Sequence, residues 1–348
     1  LSPDPTAAPR PALVALRDTD PTADVSASTA SILTETFDVV VVDLPAVDAV
    51  GDDRATSVVR AVRASGAARW LLAAHGSGGA VASEVAAMTM SGEAGLFGFA
   101  GLVLVGSASA GDRLDVPTLL VDDAVIDHAD GLAEAVTSFW RDHAGHGPAA
   151  SRDFADVIAS THTSPQTRAI LARRALADDP GYQPQVLTTT QLDTLRLVAD
   201  LVVPQRAPSP DAAIDLAARI DADQAAGASD GWRNAALPPD AEAYRRGLDA
   251  LADLRLLDTA DRKARVAAIV AGEFEPADGE LTAEQMQLWF EDARVDLVRG
   301  WLAHPATMER IGFDGFANGG PGGALFQGFD LLGADRREQW EPTMEAVR

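Results

Sequence analysis

The segment Phe37–Leu44, FDVVVVDL, limits the fold of this chain more than any other stretch. Consecutive β-branched side chains lose rotamer freedom in a helix and fit a pleated strand, so this run of valines reads as the clearest strand. Asp38 bounds it on one side and Asp43-Leu44-Pro45 on the other. Similar short apolar runs recur at Ala12–Leu16, Arg69–Ala74, Leu102–Val105 and Pro117–Val121. Helix-compatible stretches lie at Ala27–Thr36, Thr56–Ala64, from about Ala80 onward, and at Ala133–Trp140. Strands alternating with helices at this spacing predict an α/β domain over residues 1–147, built on a doubly wound, mostly parallel sheet.

The pattern then changes. Residues 148–186 read as a linker with one short helix, Gln166–Ala177, before Asp178-Asp179-Pro180-Gly181. From Leu187 the apolar positions follow a helical period: Leu192, Leu195, Val198, Ala199 and Val202 share one face. Thr188–Thr190 with Asp193 offers a start signal, and Pro204 is a stop. Further helices are predicted at Pro210–Ala225, Ala241–Leu254, Asp258–Ala271 and Thr282–Leu302. In the last, Met286, Phe290, Ala293, Leu297 and Trp301 recur at three- and four-residue steps, as a helix–helix seam requires. Residues 187–348 are therefore expected to form an all-α domain that ends in an irregular tail rich in glycine and aromatics, Phe316–Gly333.

Composition removes several functions. The 348 residues hold 28 Lys and Arg against 52 Asp and Glu, a formal charge of −24, which argues against a nucleic-acid or anionic-membrane partner. Lys263 is the only lysine. With no cysteine, disulfides, thiol catalysis, zinc–thiolate sites and iron–sulfur ligation are all excluded. His143, His146 and His162 cluster in sequence, but a solvated linker accounts for them and no metal site is expected. The longest uncharged run, Ala94–Gly111, reads as a loop plus a buried strand and not as a membrane span. No charged region followed by an apolar stretch opens the sequence, so a cytoplasmic location is expected, with export alongside a partner as the alternative.

Doubly wound sheets carry their sites at the carboxyl ends of the strands, which directs attention to the turn after Ala74. The run AAHGSGGAVASE resembles the nucleophile turn of the α/β-hydrolase family, in which a strand, a sharp G-x-S-x-G elbow and a helix present a serine. Aligning His75, Gly78 and Gly79 with the usual Gly-His-Ser-x-Gly-Gly puts Gly76 at the nucleophile position. The other register makes Ser77 the nucleophile and puts His75 where the elbow needs a small residue. VPTLLVDD resembles the hydrolase strand that ends in the acidic member of the triad, here Asp122 or Asp123. The histidine would be His128. The expectation is a non-catalytic, hydrolase-like domain, with an esterase using Ser77, His128 and Asp122 or Asp123 as the alternative. Gly76-x-Gly78-x-x-Val81 also matches part of a dinucleotide fingerprint but lacks its third glycine.

The second half resembles the gluconate 2-dehydrogenase subunit 3 family, the small subunits of flavin-dependent dehydrogenases of the glucose-methanol-choline (GMC) type. The resemblance runs from about Thr161 to the C-terminus. Tyr182-Gln183-Pro184, LTTTQLDTLRLVADLVVP (Leu187–Pro204) and the Ala213–Ile220 helix ending at Asp221 carry it first. AYRRGLDAL (Ala243–Leu251), the LTAEQ helix, GWLAHPATMERIGFDGFANGG (Gly300–Gly320) and GFDLLG complete it. It implies an accessory subunit that binds no cofactor itself, with FAD on a large partner subunit in a hetero-oligomer. Under that reading Trp301, Phe313, Phe316, Phe326 and Phe329 are candidate partner contacts, with intradomain core as the alternative role. A free-standing interaction protein is the third reading.

Overall fold

The computed structural model describes residues 10–17, 27–45, 54–106, 114–122, 129–161, 163–205, 213–228, 234–277 and 281–313. Two compact units emerge. A sheet unit takes the chain up to Gly145, Ala149–Leu176 and the described residues from Met308 on; a helical unit takes Ala177–Thr307.

Five strands form the sheet: β1 (Ala12–Arg17), β2 (Asp38–Asp43), β3 (Trp70–His75), β4 (Phe99–Val105) and β5 (Thr118–Val121). All pairs are parallel and the order is β2-β1-β3-β4-β5, with Val14 level with Val40 on one side and Leu72 on the other. The chain moves from β1 to β2 in one direction and from β3 onward in the other. Right-handed crossovers therefore place helices on both faces. Val14, Leu16, Leu72, Ala74, Leu102 and Leu104 bury on one face against α2 (Arg54–Ser65) and α3 (Gly78–Met90). Leu13, Leu71, Ala73, Val103 and Val121 alternate to the other, against α1 (Ala27–Leu33) and α4 (Ala129–Phe139). The valine run forms β2 as expected, yet as an edge strand with Val42 buried and Val41 exposed.

The end of α4 widens into a π-type turn, Trp140–Ala144. Arg69 spans this turn, donating to the carbonyls of Ala144 (2.7 Å) and Gly145 (2.9 Å) with its guanidinium over the Trp140 ring. Burial pushes the Arg69 pKa down to about 10, so it stays charged at neutral pH and satisfies carbonyls that the helix leaves open.

The 148–186 stretch contains two helices, α5 (Arg152–Ala159) and α6 (Pro165–Arg174), where the sequence suggests one. Ser151 and Ser164 cap them, and Phe154, Ile158 and Leu171 bury with Phe97 of the sheet unit. Arg168 fastens them further, donating to Gly92 O (2.8 Å), Ser160 O (2.7 Å) and Ala159 O (3.2 Å).

The helical unit comprises α7 (Thr189–Val202), α8 (Leu216–Ala225), α9 (Asp240–Asp249), a 3₁₀ turn at Ala252–Leu256, α10 (Thr259–Ala271) and α11 (Ala283–Leu302). A final short helix, α12 (Pro305–Arg310), follows. The cap of α7 pairs Thr188 with Gln191 and not with Asp193, because the reciprocal bond needs a side chain three residues after the cap. Thr282 and Gln285 repeat the arrangement on α11. The seam expected on α11 is buried at Met286, Phe290, Ala293 and Leu297, joined by Trp289; Trp301 is half-buried beside it.

The lock of this unit is Asp221, fully buried on the apolar face of α8. Its carboxylate accepts from Tyr182 Oη (2.6 Å) and from the backbone N–H groups of Gln185 (2.6 Å), Val186 (3.1 Å) and Leu187 (2.7 Å). Burial by itself would raise the Asp221 pKa, but these hydrogen bonds to the ionised form outweigh it and hold the group below the ordinary carboxylate value. Burial and the Asp221 charge push the Tyr182 hydroxyl up to about 12.

Asp221→Asn removes the charge and turns an amide N–H₂ toward a backbone N–H that only donates; the helical unit should lose roughly 3 kcal/mol. Urea unfolding followed by circular dichroism would show it as a lower midpoint for that unit. Since the folded pKa lies below the unfolded value of about 4, the Asp221 contribution is complete above that value and fades as pH falls through the folded pKa. The Asn variant should therefore show a shallower loss of stability on acidification below about pH 4.

Candidate functional site

The carboxyl ends of β3, β4 and β5 lie together, with His75 level with Val105 and Val105 level with Val121. The turn after β3 occupies this edge at the centre of the sheet. His75 is half-buried, Gly76 and Ser77 are exposed, and Gly78 and Gly79 are buried as α3 begins. Gly78 sits in ordinary contact with Ala74, Leu16 and Leu44, so the helix starts close against the strands.

Gly76 is the residue at the apex. Its φ of 53° is left-handed, its N–H points to Val105 O at 3.4 Å, and its carbonyl accepts from the N–H of Gly79 at 3.1 Å. A Cβ built there would meet nothing within 4 Å. Ser77 is one step further on, in ordinary right-handed conformation (φ −67°, ψ −20°) at the cap of α3, and its hydroxyl does not cap the helix. In a strand–elbow–helix turn the strained position is the one that lifts a side chain above the sheet, and here that position has no side chain.

Asp122 directly follows β5 and is exposed at the same edge. It lies two strands from β3, about 10 Å at ordinary strand spacing. The topology thus brings Ser77 and Asp122 to one end of the sheet. Asp123 and His128, the other two members of the esterase reading, lie outside the described residues.

The remaining candidates are distributed differently. Trp301 packs against the helical core, while Phe313 is 46% exposed after α12, next to an exposed Ile311. Phe316, Phe326 and Phe329 lie outside the described residues, as does His162. His143 falls in the π-type turn beside Phe139. Among the described residues no three or more His, Asp or Glu converge as metal ligands, and no helix is long and apolar enough to cross a membrane.

Sequence reasoning names Asp221 only as the end of a helix. Its position on the face shared by Leu216, Ala217 and Ile220 is the available signal: a charge where the period demands an apolar residue must find several donors.

At Gly76 the only obstacle to a side chain is the backbone, so Gly76→Ala should cost about 1 kcal/mol. Gly98, with φ 85°, is the contrast, because a Cβ added there would stand only 2.0 Å from Ala68 O. Gly98→Ala should cost at least about 3 kcal/mol or prevent folding. Thermal melts of the two variants against the parent would separate them.

Compared with protein-family models, curated proteins and solved structures, the chain matches none.

Proposed function

We propose that this chain is an accessory small subunit of a flavin-dependent sugar or alcohol oxidoreductase of the GMC type. The FAD and the chemistry reside on a separate large subunit, and this chain binds and stabilises that subunit's native state. The sheet unit is a non-catalytic, hydrolase-like domain fused ahead of it.

The observation that carries the reading is the bond between Tyr182 and Asp221. Both residues belong to the segments that resemble the small-subunit family, they are 39 positions apart, and their bond joins the chain entry to α8. Other resembling segments coincide with whole elements: Leu187–Pro204 with α7, the LTAEQ run with the capping box of α11, and the HPATMER run with α12. On the sheet unit, a glycine at the elbow apex supports a non-catalytic role.

The esterase reading has one observation in its favour, the placement of Ser77 and Asp122 on the same sheet edge. It requires an attacking hydroxyl from a serine outside the strained position.

Two experiments decide between them. The tagged chain, recovered from its native cell, should carry a stoichiometric large protein with yellow flavin absorbance; a colourless chain without such a protein would overturn the small-subunit reading. With acyl esters, the chain should show no turnover above the blank, and Ser77→Ala should change nothing. Turnover that disappears in Ser77→Ala would establish the hydrolase instead.

A further inference from the structure

The two edges of the sheet are built differently. At one end β5 has four residues and directly follows Pro117. Both features blunt an edge, because a short strand offers few free backbone groups and proline offers no N–H. At the other end β2 has six residues, DVVVVD, with no lysine, no proline and an unbroken register against β1. Among the described residues no strand pairs with its outer side. A regular, valine-rich edge of this kind is a template for another strand.

Backbone parity fixes what that side presents. Asp38 donates its N–H to Pro11 O (2.9 Å) and Leu44 donates to Arg17 O (2.8 Å), so the even positions of β2 face β1. Successive residues of a strand send their N–H and C=O to opposite sides, which turns those of Val39, Val41 and Asp43 outward. Val41 is the middle of this set, and its side chain, 49% exposed, is the most open of the four valines. Charge is settled at the strand ends: Arg10 lies 3.8 Å from Asp38, and Arg17 bonds Asp43. In a chain of net charge −24, the acids of this edge are already paired.

We propose that β2 pairs antiparallel with β2 of a second copy of this chain, about a two-fold axis at Val41, joining the two sheets into one. With Val41 opposite its own copy, Val39 falls opposite Asp43 and Asp43 opposite Val39, so every outward residue exchanges both of its backbone bonds. Centring the axis on Val40 instead would set Asp43 opposite Phe37, whose N–H is already given to Leu33 O. The Val41 register buries the exposed valine against itself. It also sets Asp38 opposite Leu44 and Asp43 opposite Val39, so no carboxylate stands across from another. That self-complementarity in bonds, valine and charge selects a second copy over an unrelated strand.

Because the chain has no cysteine, a single introduced thiol reports on the axis alone. Hydrogen-bonded partners on antiparallel strands have Cα atoms about 5.5 Å apart, within the range a disulfide spans. Under mild oxidation the full chain carrying Val41→Cys should form a covalent dimer roughly tenfold faster than Leu120→Cys, whose site on β5 is also exposed. Sedimentation of the parent chain across micromolar concentrations should show a species of twice the chain mass. Val41→Lys sets like charges against each other at the axis and should sediment as a monomer with the parent's circular dichroism. A parent that stays monomeric, or a dimer that Val41→Lys leaves intact, overturns the pairing. So does a Val41→Cys chain that couples no faster than Leu120→Cys.

Discussion

A single buried carboxylate organises the helical half of this protein. Asp221 faces inward from α8 and gathers three consecutive backbone N–H groups and a tyrosine hydroxyl from the segment that leads into α7. Those N–H groups precede the helix, where no ladder would satisfy them, so the carboxylate and the chain entry solve each other's desolvation problem. Tyr244, the only other tyrosine, does the same with Asp296 at 2.7 Å, its own ring edge-on to Trp289. Trp289 in turn lies flat against Gly247, where a Cβ would come within 2.4 Å of the indole ring. The unit's apolar seams are thus registered by two acid–hydroxyl pairs, which fix orientation in a way that interchangeable leucines would not.

The legible parts of the fold are those written in a period. All five strands stand within a few residues of their apolar runs, and α7, α10 and α11 follow from spacing and caps. The two helices that spacing misses, α5 and α12, are eight and six residues long, too short for an apolar face to repeat. Edge or centre is not legible either: the valine run is the most strand-like segment and ends at the border of the sheet, because strand order depends on crossovers and not on composition. At the elbow, two registers are open in the sequence, and backbone conformation distinguishes them by giving the positive φ to Gly76. The role of Asp221 depends on partners 34 to 39 residues away, beyond any local pattern.

The longer-range side-chain bonds within each unit favour different acceptors. In the sheet unit many long-range side-chain bonds run from arginines to neutral carbonyls, Arg69 to Ala144 and Gly145, Arg168 to Gly92 and Ser160, Arg152 to Gly66 and Arg63 to Ala94, while Arg17 pairs with Asp43 and Glu309 accepts from the Ser151 N–H. Several of these carbonyls end helices, so the helix dipole stands in for a counterion. In the helical unit several of the corresponding bonds end on carboxylates, those of Asp221, Asp296, and Asp215 and Asp178, which hold Arg196 and Arg219, and others run from Gln285 and Gln287 to carbonyls.

The open space above Gly76 has a genetic meaning. A glycine codon of the GGC or GGT form is one base change from serine, and the structure places no atom where the new hydroxymethyl group would stand. Where the codon is GGC or GGT, a serine at this turn is one nucleotide change and a small backbone strain away. With such a codon a population samples the serine form by ordinary mutation, and persistence as glycine would register selection on the turn itself.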